Sequence, residues 1–137
     1  MTDWLVDTNV ISELVRPRPA AKVVAFLERT SGLHLSVVTL HEIAYGADRA
    51  PDPVRRAKLT AWLGQLSQQY ADRVIPVDAA VAERAGRLRA AADALGRPAD
   101  PLDALIAATA LERNLKLATR DIEDFREFGL DLHDPWA

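Results

Sequence analysis

Cysteine is absent from this 137-residue chain, so disulfides and thiolate metal sites are excluded. Aromatic residues make up only 6%, which leaves aliphatic side chains and alanine to fill the core. The N-terminus carries no basic stretch followed by an apolar segment, and no window stays apolar for the length of a membrane span. A cytoplasmic protein is the expectation. Low-complexity segments and repeats of fixed period are missing as well. So is a strong net charge: 17 Lys and Arg against 20 Asp and Glu leave −3. That excludes a nucleic-acid binder held by an overall positive field, but not an enzyme with a local basic rim.

What is present is enough apolar material, 49% of the residues, for one domain with a single core over residues 1–137, and too little for two. Trp4-Leu5-Val6 reads as a first buried strand that stops at Asp7. Thr8 and Asn9 suit a helix cap, with Val10, Ile11 and Leu14 as the apolar face of a short helix. Further helices are expected over Ala21–Arg29, Val38–Asp48, from Pro53 through Leu66, over Ala79–Leu95 and after Asp100-Pro101. Leu33-His34-Leu35, Val74 to Val77 and Leu115 to Ala118 read as strands, and Leu130 to Leu132 as a fifth. Short strands alternating with helices imply an α/β/α sandwich around a mostly parallel sheet.

Four acids stand at the edges of these apolar elements: Asp7 in WLVDTN, Glu42 in VVTLHEIAYGA, Asp103 in DPLDALIAATAL and Asp121 in LKLATRD. A carboxylate beside Leu, Val and Ala is unfavourable unless something compensates it. Asp7 and Asp121 each follow a strand, at the end where open parallel sheets bind ligands. Asp103 falls in the first turn of a helix, and Glu42 at the margin of an apolar stripe. Taken singly, each has a plain structural role: a cap for Asp7, a dipole partner for Asp103, a solvated helix residue for Glu42, an acidic turn for Asp121 with Glu123 and Asp124. Taken together they point to one pocket, where like charges repel unless a hard cation, Mg²⁺ or Mn²⁺, joins them.

The stretches LVDTNVISEL, SVVTLHEIAYGA, DPLDALIAATAL, LATRDIEDF and GLDLHDPW resemble, in order and from end to end, a PIN-domain protein of the VapC type. These are the toxin ribonucleases of bacterial type II toxin–antitoxin systems. The resemblance implies a compact three-layer PIN-like fold and Mg²⁺-dependent endoribonuclease activity. It assigns the acidic pocket to Asp7, Glu42, Asp103 and Asp121, with Asp124 as a substitute or neighbour for Asp121. It also implies a homodimer and a cognate antitoxin whose tail covers the groove with an Arg among the carboxylates. DNA would be reached only through that antitoxin.

On this reading Asp7 and Asp103 are direct ligands of the ion that activates water against an RNA phosphodiester. Glu42 and Asp121 hold a second ion or orient water. Thr8, Asn9 and Thr119 either position the carboxylates or serve as caps and turn residues. His34, His41 and His133 lack ligand-like spacing. Arg16, Arg18 and Arg120 stand near the pocket in sequence, and Arg49, Arg55, Arg56 and Lys58 form a second basic group. Trp62 reads as core or dimer contact rather than a stacking platform. A haloacid-dehalogenase-type phosphatase fits Asp7 but needs an acid where Asn9 stands. The remaining alternative is a non-catalytic PIN-fold binding subunit of a DNA-binding regulatory complex, its acids vestigial.

Overall fold

The computed structural model describes residues 2–137. Its centre is a five-stranded sheet: β1 (Trp4–Val6), β2 (Leu33–Ser36), β3 (Val74–Ile75), β4 (Lys116–Ala118) and β5 (Leu132–His133), in the order β3-β2-β1-β4-β5. Every pairing is parallel, with Leu5 opposite His34 on one side and Leu117 on the other. The alternation of side chains along a strand divides the core in two. Val6, Leu33, Leu35 and Ala118 face one layer with Val10, Val23, Ile43 and Leu66. Leu5 and Leu117 face the other with Ile106, Ala107, Ala110 and Phe125.

The helices of the first layer are α1 (Thr8–Ser12), α2 (Ala21–Arg29), α3 (Val37–Arg49) and α4 (Pro53–Gln69). On the opposite face lie α6 (Pro101–Arg113) and α7 (Ile122–Phe125), with α5 (Ala79–Ala94) packed on the outside of α6 through Val81, Ala85, Ala104 and Ala108. The uncharged stretch of α6 is buried at Ala104 and throughout Ile106–Ala110, as its composition requires. Small alanines let α5 and the sheet approach it from two sides.

Starts and stops follow side-chain chemistry. Asp52 and Asp100 each accept from a backbone N–H at the head of a helix whose first residue is proline, so the missing N–H is no loss. Asn114 closes α6 in the left-handed conformation, φ 54°. Pro76 cannot donate to a ladder, and β3 ends before it, shorter than the expected Val74–Val77 and at the sheet's edge. The fifth strand falls at Leu132–His133 rather than Leu130–Leu132: the chain reverses at Gly129, φ 74°, and comes into register with β4 only where Leu132 meets Leu117.

One local reading is corrected. Thr8 is the first residue of α1 and the cap is Asp7, whose carboxylate accepts from the Thr8 N–H. After Ser12 the chain tightens into a single 3₁₀ turn over Glu13–Val15. This rotates Leu14 outward, to 39% exposed, and turns Glu13 inward. The buried Glu13 accepts from the Ala20 N–H at 2.8 Å and so caps α2, whose own first residue has no capping side chain.

Candidate active site

Strand order reverses at β1: the chain goes from β1 to β2 on one side and reaches β4 on the other. A crevice opens beyond the strand ends at such a switch point, and both flanking strands deliver a carboxylate there. The Asp7 N–H donates to the Ala118 carbonyl at 2.9 Å, extending the β1–β4 ladder by one rung and setting Asp7 beside Thr119. Thr119, fully buried, donates to Asp7 Oδ2 at 2.7 Å and accepts from the Asp121 N–H at 3.0 Å. Asn9 donates to Asp121 Oδ2 at 2.9 Å. On the other flank the Thr8 hydroxyl donates to Glu42 Oε1 at 2.7 Å. Thr8 has one hydroxyl proton, so its 3.0 Å contact with Thr39 has Thr39 as donor. One chain of hydrogen bonds thus runs from Glu42 through Thr8, Asp7, Thr119 and Asp121 to Asn9.

Asp103 enters from α6, where Asp100 takes the capping position and accepts from the Leu102 and Asp103 N–H groups. Its carboxyl is pushed up to about 7, first by desolvation and then by the negative charges of Asp7, Asp100, Asp124 and Glu42. Asp7 is pushed up to about 6. Burial is the main cause; the hydrogen bonds from Thr119 and the Thr8 N–H oppose it, while Glu42 and Asp121 add to it. The four acids foreseen in the sequence therefore share one electrostatic neighbourhood. Asp121 acts on Asp7 and Asp124 on Asp103, so the fourth and fifth acids serve different ends of the cluster.

Among the described residues, no Lys or Arg forms an ion pair with Asp7, Glu42, Asp103 or Asp121. Nor do three acidic or histidine side chains converge tightly enough in this arrangement to enclose an ion. The donor set is nevertheless that of a hard cation: carboxylate oxygens only, two of them held unfavourably, with no protein cation to neutralise them. The residues fit Mg²⁺ or Mn²⁺ in chemistry. Histidine is peripheral. His34 contacts the Gly32 carbonyl, His133 packs with Trp4 and Phe26, and His41 is exposed.

Cavities flank the acids. One of 570 Å³ lies between α1, α3 and α4 and is lined by Thr8 and Glu42 together with Arg16, Arg49 and Arg55. Another of 330 Å³ carries Asp103 and Asp124. Members of the two basic groups thus meet in one groove, although they are far apart in sequence. Arg120 instead lies over Trp136, and Arg56 donates to the Ala50 and Pro51 carbonyls. Trp62 packs against the core. Thr39, in contact with the Thr8 hydroxyl, and Tyr45, on the groove wall, become site neighbours only through tertiary packing.

A parallel sheet with carboxylates gathered beyond its switch point, none of them in an ion pair with Lys or Arg among the described residues, defines the fold and the candidate site. The chain belongs to the PIN domain family, whose model matches residues 4–129. It is 35% identical over 135 residues to the VapC ribonuclease Y4jK of Sinorhizobium fredii, covering 96% of each chain. Toxin FitB of Neisseria gonorrhoeae is 34% identical, with 96% of this chain and 97% of the relative covered. Among solved structures, that of FitAcB from Neisseria gonorrhoeae superposes with a TM-score of 0.89 at 34% identity, covering 96% of this chain and 97% of the other. DNA-bound VapBC from Salmonella typhimurium does so with 0.75 at 27% identity, covering all of both chains.

Proposed function

We propose that this protein is a divalent-cation-dependent endoribonuclease, the toxin of a toxin–antitoxin pair. One observation carries the reading: Asp7 and Asp103 are held protonation-prone by burial and by neighbouring carboxylates, and among the described residues no Lys or Arg pairs with them. A relative named as a ribonuclease, and a tRNA(fMet)-specific endonuclease VapC of Shigella flexneri at 29% identity, support RNA as the substrate class.

Asp7 and Asp103 would hold Mg²⁺, with Glu42 and Asp121 completing the set or orienting water. When bound, the ion supplies Lewis-acid polarisation of the phosphate and a lowered water pKa. Thr119 and the Thr8 N–H fix both oxygens of Asp7, so its carboxylate presents one orientation to the pocket. Thr8 does the same for Glu42, and Asn9 for Asp121. The pocket binds cations, so it would equally accept a guanidinium from an antitoxin tail, a bidentate partner for carboxylates. The solved neighbours that are toxin–antitoxin complexes support such a partner. A homodimer belongs to the same proposal.

The test is cleavage of total cellular RNA by antitoxin-free protein, with Mg²⁺ and with EDTA, beside Asp7→Asn and Asp103→Asn. Discrete fragments that require Mg²⁺ and disappear in both variants are expected. Intact RNA in every lane from folded protein refutes the nuclease.

A further inference from the structure

The groove between α3 and α4 does more than border the acids. Along α3, Tyr45 and Arg49 follow Glu42 by three and seven residues, roughly 4.5 and 10.5 Å farther down the axis. Glu42 and Arg49 fall within about 20° of one bearing. Tyr45 is 57% exposed, a large aromatic left in solvent. The Arg49 guanidinium lies 5.0 Å from its ring centroid and donates to its hydroxyl at 2.9 Å, which holds the ring in place. Arg55 and Arg16, the latter 3.6 Å from the buried Glu13 carboxylate and itself exposed, stand on the same groove, with Glu42 the one carboxylate among the residues that line it. Gly46 also lines it. A methyl added there would meet no protein atom within 4 Å, so the fold does not require glycine at this point and the open space belongs to the groove.

We propose that Tyr45 and Arg49, with Arg16 and Arg55, form a subsite for single-stranded RNA flanking the scissile phosphate. Tyr45 is the platform on which one base stacks, and the guanidinium groups contact the adjoining phosphates. Charge complementarity and continuity with the acids select this occupant. A polyanion leaving the acidic pocket past Glu42 meets three guanidinium groups, whereas one leaving past Asp103 meets Asp100, Glu123, Asp124 and Glu127 against a single Arg97, itself paired with Glu127 at 2.6 Å. An exposed ring suits an unstacked base, the form in which RNA is read by aromatic side chains. The inference rests on the ribonuclease reading for its substrate, but not on turnover.

The experiment measures fluorescence anisotropy of a labelled 12-nucleotide single-stranded RNA of mixed sequence, in EDTA so that nothing is cut. It compares the whole chain with Tyr45→Ala, Tyr45→Trp, Arg49→Ala and, as control, Arg89→Ala on exposed α5. Tyr45→Ala is expected to weaken binding roughly tenfold, while Tyr45→Trp preserves it. Arg49→Ala should weaken it and flatten the slope of log affinity against log salt by about 0.7. A duplex of the same sequence should bind less tightly. Cleavage with Mg²⁺ is read separately. If the parent chain cuts RNA while Tyr45→Ala and Arg49→Ala bind and cut as it does, the subsite is overturned and the nuclease stands. If nothing cuts but binding depends on both residues, the subsite stands and the nuclease falls. Unchanged RNA binding together with lost binding of the antitoxin assigns the groove to that protein partner and overturns the proposal.

Discussion

Replacing Asp7 by Asn should stabilise the cation-free protein at alkaline pH and do little at acid pH. The Asp7 carboxyl is raised from 3.8 to about 6, a difference of about 3 kcal/mol at roughly 1.4 kcal/mol per unit. A raised acid binds its proton more tightly folded than unfolded. Its contribution to stability is therefore complete below about pH 4 and lost as pH rises through about 6. Glu42 and Asp121 press in the same direction, as do Asp100 and Asp124 on Asp103. Asn keeps an oxygen for the Thr8 N–H and removes the charge.

In EDTA, the variant should match the parent at pH 3.5 within about 1 kcal/mol, lead it by roughly half of the full difference at pH 5, and exceed it by about 2–3 kcal/mol at pH 8. For a chain of 137 residues that gap is a melting-temperature difference on the order of 10 °C. Millimolar Mg²⁺ at pH 8 should close it by stabilising the parent alone. Thermal unfolding followed by circular dichroism reads all of this. A gap that does not open between pH 3.5 and 8, or opens with the parent the more stable, refutes the electrostatic account of the pocket.

Thr119→Val keeps the shape of a buried side chain but removes the donor to Asp7 Oδ2. The Asp7 carboxyl should rise further, the rising limb of the cleavage pH profile should move alkaline, and urea titration should show a loss of about 1–3 kcal/mol. Glu13→Ala removes the acceptor for the Ala20 N–H and should cost about 1 kcal/mol, visible as faster amide exchange at the start of α2. Phe125→Ala empties a fully buried site beneath the sheet and should cost about 3–5 kcal/mol by urea denaturation.

The sheet was readable because its strands are short apolar runs with plain stop residues, and a buried parallel sheet leaves little room for other patterns. The acids were readable for a related reason. Asp7, Asp103 and Asp121 each terminate or open an element whose burial is written in its composition, so the strand ends and the head of α6 place them together. Glu13 was not, because its burial depends on a 3₁₀ turn that shifts the facing of two residues without leaving a periodic signal. The groove was hidden too. Arg16 and Arg55 belong to different basic groups in the chain, and only the packing of α1, α3 and α4 brings them to one wall. The hydroxyl bridges of Thr8 and Thr119 lie between these cases: the residues were noticed, but caps and carboxylate supports look alike in sequence.

The central place of β1 has a consequence for how the molecule comes into being. This strand is among the first residues made, yet one of its two neighbours, β4, begins at Lys116. At roughly 5–20 residues per second of synthesis, the wait between completing β2 and completing β4 is on the order of ten seconds. For nearly all of it Asp7 and Glu42 already exist, while Asp103 and Asp121 are still to be emplaced. Whatever chemistry these carboxylates perform therefore switches on in a single late event, when β4 seats against β1 and the two halves of the crevice first meet. Until then a nascent chain carries only half of the carboxylate cluster.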